Sequence, residues 1–348
     1  MFIRDMSCIS AQETYHGELF TDGVKFFDES KLWAKEPNYK GIIPMGLLRR
    51  MSKLVRMSVA TGMPLIDKHQ DVEGIIFGSS NGSVDHSLRF LNQIVEYSEG
   101  TLTPTDFVQS TSNCVAGMLA LMGKKRGYNT THVNQGLCFE SSVLDAKMLF
   151  EEGKYKTLLI GGGEEQSASN YNIESQRGLY KIEEISSKDL LNTNTPGTLP
   201  GEGVAMFVVE AEKSNDSIAQ IVAVDSIQHV DTEGLADKLE IFLKNNGLTV
   251  SDLDSVVLGR NGDVVADQFY NHLEKDLFTD HNIFVYKHLS GDYYSVPAFS
   301  LWLTAQLLSG TKLPEECVWK DQGKTPKNIL LYNNCEGKQH GFMLIKGC

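Results

Sequence analysis

The sequence repeats a unit of strand, helix and strand, and this repeat limits the possible folds more than any other feature. DVEGIIFGSSNG at 71–82 is echoed by DLDSVVLGRNGD at 252–263, and KTLLIGGGEE at 156–165 is echoed by KNILLYNNCEG at 327–337. An apolar helical stretch ending in glycine precedes the second strand of each pair. We expect one helix at 43–63 and a long polar loop at 165–201. Strands alternating with helices form parallel sheets covered by helices. We therefore predict a duplicated α/β chain that divides near residues 212–216; chance similarity of two ordinary strand–helix units is the alternative.

Composition excludes several classes of protein. Lys and Arg number 32 against 45 Asp and Glu, a net charge of −13, and such a surface repels phosphate backbones, so no nucleic-acid partner is expected. The six cysteines form no C-x-x-C pair, so we expect neither a metal site nor a disulfide framework. The sequence shows no secretory signal and no apolar run of about 18 residues, and so predicts no membrane span. We predict a cytoplasmic α/β protein without a cofactor.

A series of motifs then points to one family. The stretch from 110 to 165 carries the motif residues Asn113, Ala116, Gly117, Gly127, Gly153, Gly162 and Gly163. A Gly-Glu-Gly strand follows at 200–213. In order and spacing these segments resemble the core of β-ketoacyl-ACP synthases, which belong to the thiolase superfamily. The resemblance implies a thiolase-like five-layer αβαβα sandwich with internal duplication, whose N-terminal half is 1–212 and whose C-terminal half is 213–348.

The resemblance also implies a catalytic set that this chain lacks. Condensing enzymes of the family use a Cys at a helix N-terminus and two His residues. The nucleophile position falls on Gly136, the first His position on Asn261 and the second on Asp292, whereas Lys287 of the second His motif is retained. Glycine has no side chain to acylate. An ionised Asp292 at about 4 Å from a malonyl carboxylate would repel it by roughly 4 kcal/mol at an effective dielectric constant of about 20.

Chain-length factors resemble ketosynthases but lack the nucleophile. The stretches LLRRMSKLVRMSV at 47–59 and LTPTDFVQSTSN at 102–113 also resemble a short ketosynthase-like family of polyene pigment pathways. The leading hypothesis is a non-catalytic chain-length-factor-like partner of an active ketosynthase, working on acyl carrier protein in fatty acid or polyketide biosynthesis. One alternative is an active 3-oxoacyl-ACP synthase or acyltransferase that uses Cys138 as a fallback nucleophile. The other is a non-enzymatic homodimer that binds acyl groups.

Several further residues could act in catalysis or acyl binding, or could be ordinary surface or core residues. Gln135 could replace the nucleophile, although the spacing places it one position early, and His288 and His340 are the histidines near degenerate motifs. The other seven histidines, His16 among them, are predicted to be surface or packing residues. The resemblance places four residues at the acyl tunnel or dimer interface, and each could instead be plain core: Asn81, Phe107, Asn113 and Met118.

Two segments are candidates for contact with partner proteins. Dimers of the family pair through the strand before the nucleophile, which corresponds here to residues 129–134. A basic run at 49–53, together with Arg56, could contact an acidic carrier protein. A solvated helix face is the alternative reading of the basic run.

Overall fold

The computed structural model describes residues 1–15, 20 and 23–348; His16 lies outside this described part. The strands are β1 (Phe2–Ile9), β2 (Gly74–Gly78), β3 (Asn129–His132), β4 (Thr157–Glu164), β5 (Gly203–Glu210), β6 (Ala219–Gln228), β7 (Ser255–Leu258), β8 (Asn282–Val285), β9 (Val318–Lys320), β10 (Asn328–Cys335) and β11 (Gln339–Gly347). The helices are α1 (Met45–Leu48), α2 (Lys53–Lys68), α3 (Val84–Glu96), α4 (Pro104–Gln109), α5 (Cys114–Met122), α6 (Cys138–Glu151), α7 (Ala168–Gln176), α8 (Thr232–Asn245), α9 (Val264–Asp276), α10 (Lys287–Ser290) and α11 (Pro297–Leu308).

The strand order repeats as the sequence predicts. The first five strands lie in the order β3-β2-β4-β5-β1, and the next set lies in the equivalent order β8-β7-β10-β11-β6, with β9 beyond β8. In each set the last strand along the chain, β5 or β11, runs antiparallel to both neighbours. β1 pairs with β6 at Phe2–Gln220 and Ile3–Ala219, which joins the two sets edge to edge. The predicted internal duplication is confirmed.

Alternating side chains of the strands build the layers. One face of each five-stranded set packs against α6 and α11, which lie together in the central core cluster. The other face of the first set packs against α2 and α5, and the other face of the second set against α8 and α9. In β5, for example, Phe207 faces the central helices and Met206 faces α2. The layer order is therefore helix, sheet, helix, sheet, helix, as the fold class predicts.

The helices differ from the sequence expectation at two places. The polar stretch 165–201 reads as a long loop but contains α7, which begins where the Ser167 hydroxyl accepts the backbone N–H of Asn170. The stretch 43–63 reads as one helix but is interrupted between α1 and α2, because Ser52 caps α2 by accepting the N–H of Val55. Within the described residues no helix is both long and apolar enough to cross a membrane.

Candidate functional site

A cavity that is partly open to solvent lies where the carboxyl ends of strands from both halves meet. Parallel strands of α/β folds commonly present ligand-binding residues at this edge. The cavity is lined by residues at the ends of β4 and β10, on α7, and in the segments that follow β2, β4, β7, α10 and β10: Asn81, Glu164, Glu165, Gln166, Asn170, Glu174, Leu179, Tyr180, Thr198, Asn261, Asp263, Asp292, Tyr293, Tyr294, Asn333, Asn334, Cys335 and Glu336. Asn81, Asn261 and Asp292, all singled out from the sequence, therefore share one cavity.

Gly136 lies in the short 3-10 turn that leads into α6, and it has no room for a side chain. Its backbone N–H donates to Oε1 of Gln339 at 3.0 Å. A Cβ atom on Gly136 would lie 2.2 Å from the Cβ and 2.8 Å from the Sγ of Cys335. Carbon atoms in contact are normally about 3.5 Å apart or more. Cys335, from the end of β10, thus fills the space that a side chain on Gly136 would need.

Asn261 and Asp292, which the family resemblance matches to the two histidine positions, are hydrogen-bonded to each other. Nδ2 of Asn261 donates to Oδ2 of Asp292 at 2.7 Å, and Nζ of Lys287 lies 2.9 Å from Oδ1 of the same carboxylate. Lys287 is fully buried. An amide cannot take up or release a proton as a neutral imidazole does. Because Lys287 offsets the charge of Asp292, the repulsion of a malonyl carboxylate is smaller than the value for a lone carboxylate.

Backbone contacts hold this arrangement in place. The Asp267 carboxylate on α9 accepts the N–H groups of Asn261 and Gly262, each at 3.1 Å. The Thr198 hydroxyl donates to the Asn261 carbonyl at 2.7 Å. The turn after β7 is therefore fixed from both halves of the chain, and the Asn261 amide is oriented toward Asp292.

Three buried carboxyl groups near the cavity escaped the sequence analysis. Burial raises the pKa of Glu140 and of Glu164 to about 8 and that of Glu165 to about 7. Glu140 lies in the first turn of α6 against Gly341, where a Cβ would come within 2.2 Å of its Oε1. Glu164 accepts the N–H groups of Ser80 and Asn81. Glu140 and Glu164 are therefore mostly uncharged at neutral pH.

Cys138, the fallback nucleophile, lies at the start of α6 but is fully buried. Burial, with added effects of Glu164 and Glu140, raises the pKa of its thiol well above the usual value. Among the residues described, Cys138 is not one that lines the cavity. The arrangement therefore disfavours a Cys138 thiolate.

The other alternative groups also lie away from the cavity. Gln135 is exposed and has a positive φ of 44°. Burial lowers the pKa of His288 and of His340 to about 4. Nδ1 of His340 is hydrogen-bonded to the Tyr332 hydroxyl at 2.9 Å. Among the described cavity-lining residues there is no histidine.

The remaining candidate residues lie toward one surface. Phe107 on α4 is 56% exposed, and Met118 on α5 is half-buried against the outer core. Nδ2 of Asn113 donates to Oδ1 of Asn129 at 2.7 Å, and its Oδ1 accepts from the Thr131 hydroxyl at 2.8 Å. Asn81 alone of the four tunnel candidates reaches the cavity. The acyl-tunnel role of all four stays a prediction.

Exposed apolar side chains are frequent on the elements from α3 to α6, which include the outer strand β3. β3 is the terminal strand of the sheet in the part of the chain that the structure describes. Exposed apolar side chains from α3 to α6 form a set that we call the α3–α6 face: Leu91, Val95, Tyr97, Phe107, Val108, Leu121, Val133, Leu144 and Met148. Exposed apolar residues and open strand edges are typical of protein interfaces.

Half of the predicted basic surface is already paired within the chain. Lys53 forms an ion pair with the buried Glu202, and Arg56 forms one with Glu36. Arg49 and Arg50 are exposed. Among the described residues no group of three or more His, Cys, Asp or Glu side chains could hold a metal ion.

Comparison with known proteins agrees with the geometry. The family model of the beta-ketoacyl synthase N-terminal domain matches residues 28–183. No curated protein sequence matches the chain. A chain of the complex of a ketosynthase (ApeO) with its chain length factor (ApeC) from Xenorhabdus doucetiae superposes with a TM-score of 0.77 at 14% identity, covering 100% of this chain and 98% of that one.

Two more solved structures are similar over the whole length. A beta-ketoacyl synthase from Burkholderia phymatum STM815 gives a TM-score of 0.78 at 15% identity, covering 100% of this chain and 99% of that chain. The ishigamide ketosynthase/chain length factor gives 0.74 at 15% identity, covering 99% and 98%. The resemblance inferred from the motifs is thus confirmed: the chain resembles β-ketoacyl synthases in the sequence of its N-terminal half and has the ketosynthase fold throughout.

Proposed function

We propose that this chain is a non-catalytic, ketosynthase-like subunit of fatty acid or polyketide biosynthesis, of the polyene type, that pairs with an active β-ketoacyl synthase and shapes its acyl tunnel. The observation that carries the proposal is the contact between Gly136 and Cys335, which leaves no space for a nucleophile at the position where the family has one. Acyl transfer in the family begins with attack by that nucleophile. The chain would act in the cytoplasm on acyl groups delivered by acyl carrier protein.

The polar network supports the same conclusion. Decarboxylative condensation needs hydrogen-bond donors that stabilise negative charge on a thioester oxygen. The Asn261 amide donates to Asp292 instead, and the Lys287 ammonium pairs with the same carboxylate. Both donors are therefore engaged within the chain. Cys138 offers no replacement, because its thiol is buried and remains protonated at physiological pH.

The α3–α6 face and the free edge of β3 support a heterodimer. A non-catalytic subunit contributes to synthesis only beside a catalytic one, and an open strand edge flanked by apolar side chains is suited to pairing with a like subunit. Asn113 braces that edge through its bonds to Asn129 and Thr131. In the heterodimer, Phe107 and Met118 would lie at the subunit interface and beside the acyl tunnel.

Co-expression tests the proposal. We expect the chain to co-purify with a ketosynthase that retains the Cys-His-His set and is encoded beside it, and we expect elongation of acyl-ACP only in their mixture. Leu121→Asp, on the α3–α6 face, should abolish both pairing and elongation, whereas Ile182→Asp should leave both unchanged. Leu121 is 74% and Ile182 98% exposed, so neither change should unfold the chain. Elongation by the purified chain alone would contradict the proposal.

A further inference from the structure

Arg177 lies at the rim of the cavity and connects the two halves of the chain across it. Its Nη2 donates to both carboxylate oxygens of Glu336, at 3.0 and 3.2 Å. Its Nη1 donates to the Glu174 carboxylate and, at 3.3 Å, to the Tyr294 hydroxyl. Glu174, Tyr294 and Glu336 all line the cavity. Because the Arg177 side chain is 42% exposed, its guanidinium lies where the cavity meets solvent.

The lining of the cavity allows an anion at the rim but not inside. Among the described lining residues there is no Lys, Arg or His, whereas six are acidic: Glu164, Glu165, Glu174, Asp263, Asp292 and Glu336. An anion buried without a cationic partner is strongly disfavoured. The amides of Asn81, Gln166 and Asn170 suit a neutral, amide-bearing chain. A ligand with one anionic end would therefore place that end beside Arg177 and its neutral part inside.

We propose, building on the proposed function, that Arg177 binds the phosphate at the base of the carrier protein's pantetheine arm and that Glu336 occupies this position until the phosphate displaces it. A guanidinium binds carboxylate and phosphate through the same pair of parallel N–H bonds. The contact with Glu336 is partly exposed, and such ion pairs are weak enough to exchange. The Glu336 carboxylate therefore occupies the binding position of the phosphate at the cavity entrance until the phosphate arrives.

The turn that carries Glu336 adjoins the contact between Cys335 and Gly136. Glu336 and Gly337 have positive φ values of 56° and 63°, and together with Lys338 they form the three-residue turn that connects β10 to β11. The preceding residue, Cys335, is the one that packs against Gly136. Release of Glu336 from Arg177 would therefore also loosen the contact that fills the space beside Gly136. Lys338 contacts Glu336 as well, at 2.9 Å, but does not line the cavity in the described part of the chain.

The proposal makes opposite predictions for the two ion-pair partners. Glu336→Gln should free the guanidinium and raise the affinity for a phosphorylated arm by about tenfold, the usual scale of one charge-assisted contact. Arg177→Gln should abolish the preference for a phosphorylated over an unphosphorylated arm. Lys338→Gln is the matched control, because it removes the other cation that pairs with Glu336 and leaves the contact between Glu336 and Arg177 intact. It should change neither affinity nor preference.

Calorimetric titration of the full chain with S-butyryl-4′-phosphopantetheine and with S-butyrylpantetheine separates these outcomes. Equal affinities for the two arms in the wild-type chain and in Glu336→Gln would overturn the proposal, as would a failure of either arm to bind Glu336→Gln. If the ion pair were purely structural, Arg177→Gln and Glu336→Gln would weaken the binding of both arms to the same extent, and this result would also overturn the proposal. If Arg177→Gln still preferred the phosphorylated arm, this inference would fail. If the same variant still supported elongation by the partner, the proposed function would stand.

Discussion

Replacement of Gly136 by alanine should destabilise the chain, because the added Cβ would lie 2.2 Å from the Cβ of Cys335. That is about 1.3 Å less than a normal carbon–carbon contact of about 3.5 Å. The obstructing atom is bonded directly to the backbone at the end of β10, so a side-chain rotation cannot relieve the overlap. Overpacking of a core commonly costs about 1–3 kcal/mol, and we expect a loss of about 3 kcal/mol in the free energy of unfolding.

A second change at Cys335 identifies the atom responsible. Cys335→Gly removes both the Cβ and the Sγ, so the double variant Gly136→Ala/Cys335→Gly should recover about 2 kcal/mol relative to the sum of the single changes. Cys335→Ala keeps the Cβ and with it the 2.2 Å contact, so it should recover little.

Guanidinium unfolding of the three single variants, and of Gly136→Ala combined with each of the two Cys335 changes, followed by circular dichroism, measures these differences. Wild-type stability of Gly136→Ala would refute the reasoning, and so would equal rescue by Cys335→Ala and Cys335→Gly. The same logic applies to a Gly136→Cys change. A thiol-bearing side chain at position 136 would fit only after Cys335 is removed.

Three further predictions concern groups around the cavity. The folded pKa of Glu140 lies near 8, above the ordinary value of 4.5, so its protonated form is favoured by folding; this contribution is full below pH 4.5 and is lost as pH rises toward 8. Glu140→Gln should therefore flatten the fall of the guanidinium midpoint between pH 5 and pH 8, and an unchanged slope would contradict it. Lys287→Met should lower the free energy of unfolding by about 2 kcal/mol. This is less than the roughly 3–5 kcal/mol expected for a fully buried ion pair, because Asp292 is partly exposed. Adding Asp292→Asn should restore much of the lost stability in the same unfolding assay. An alkylating thiol reagent followed by peptide mass mapping should modify exposed Cys348 quickly and leave buried Cys138 unmodified until the chain unfolds; rapid Cys138 labelling in the folded chain would contradict the geometry.

The fold could be predicted from the sequence because its main signal is local and repeated. The apolar strands at 74–78 and 255–258 sit in equivalent repeats, and the same strand order follows in both halves. The helix at 168–176 was missed, since its sequence is polar and lacks an apolar stripe. Its start depends on a single capping hydroxyl, that of Ser167.

The candidate site could be predicted only in part. The family resemblance singled out Asn261 and Asp292, and the structure brings them to hydrogen-bonding distance. The decisive neighbour of Gly136 comes from a strand about 200 residues further along the chain, and no periodicity or spacing reports which side chain will face a glycine. The ion pair of Arg177 with Glu336 joins residues 159 apart and was missed for the same reason. Contacts of this kind depend on tertiary packing rather than on local pattern.

Intact-protein mass spectrometry of the purified chain, after incubation with an acyl-ACP and malonyl-ACP, tests the absence of its own acyl-transfer chemistry most directly. We expect the mass of the chain to stay unchanged and no elongated acyl-ACP to form until an active ketosynthase is added. An acyl adduct that maps to Cys138 or Cys335, accompanied by elongated product in the absence of any partner, would contradict the account.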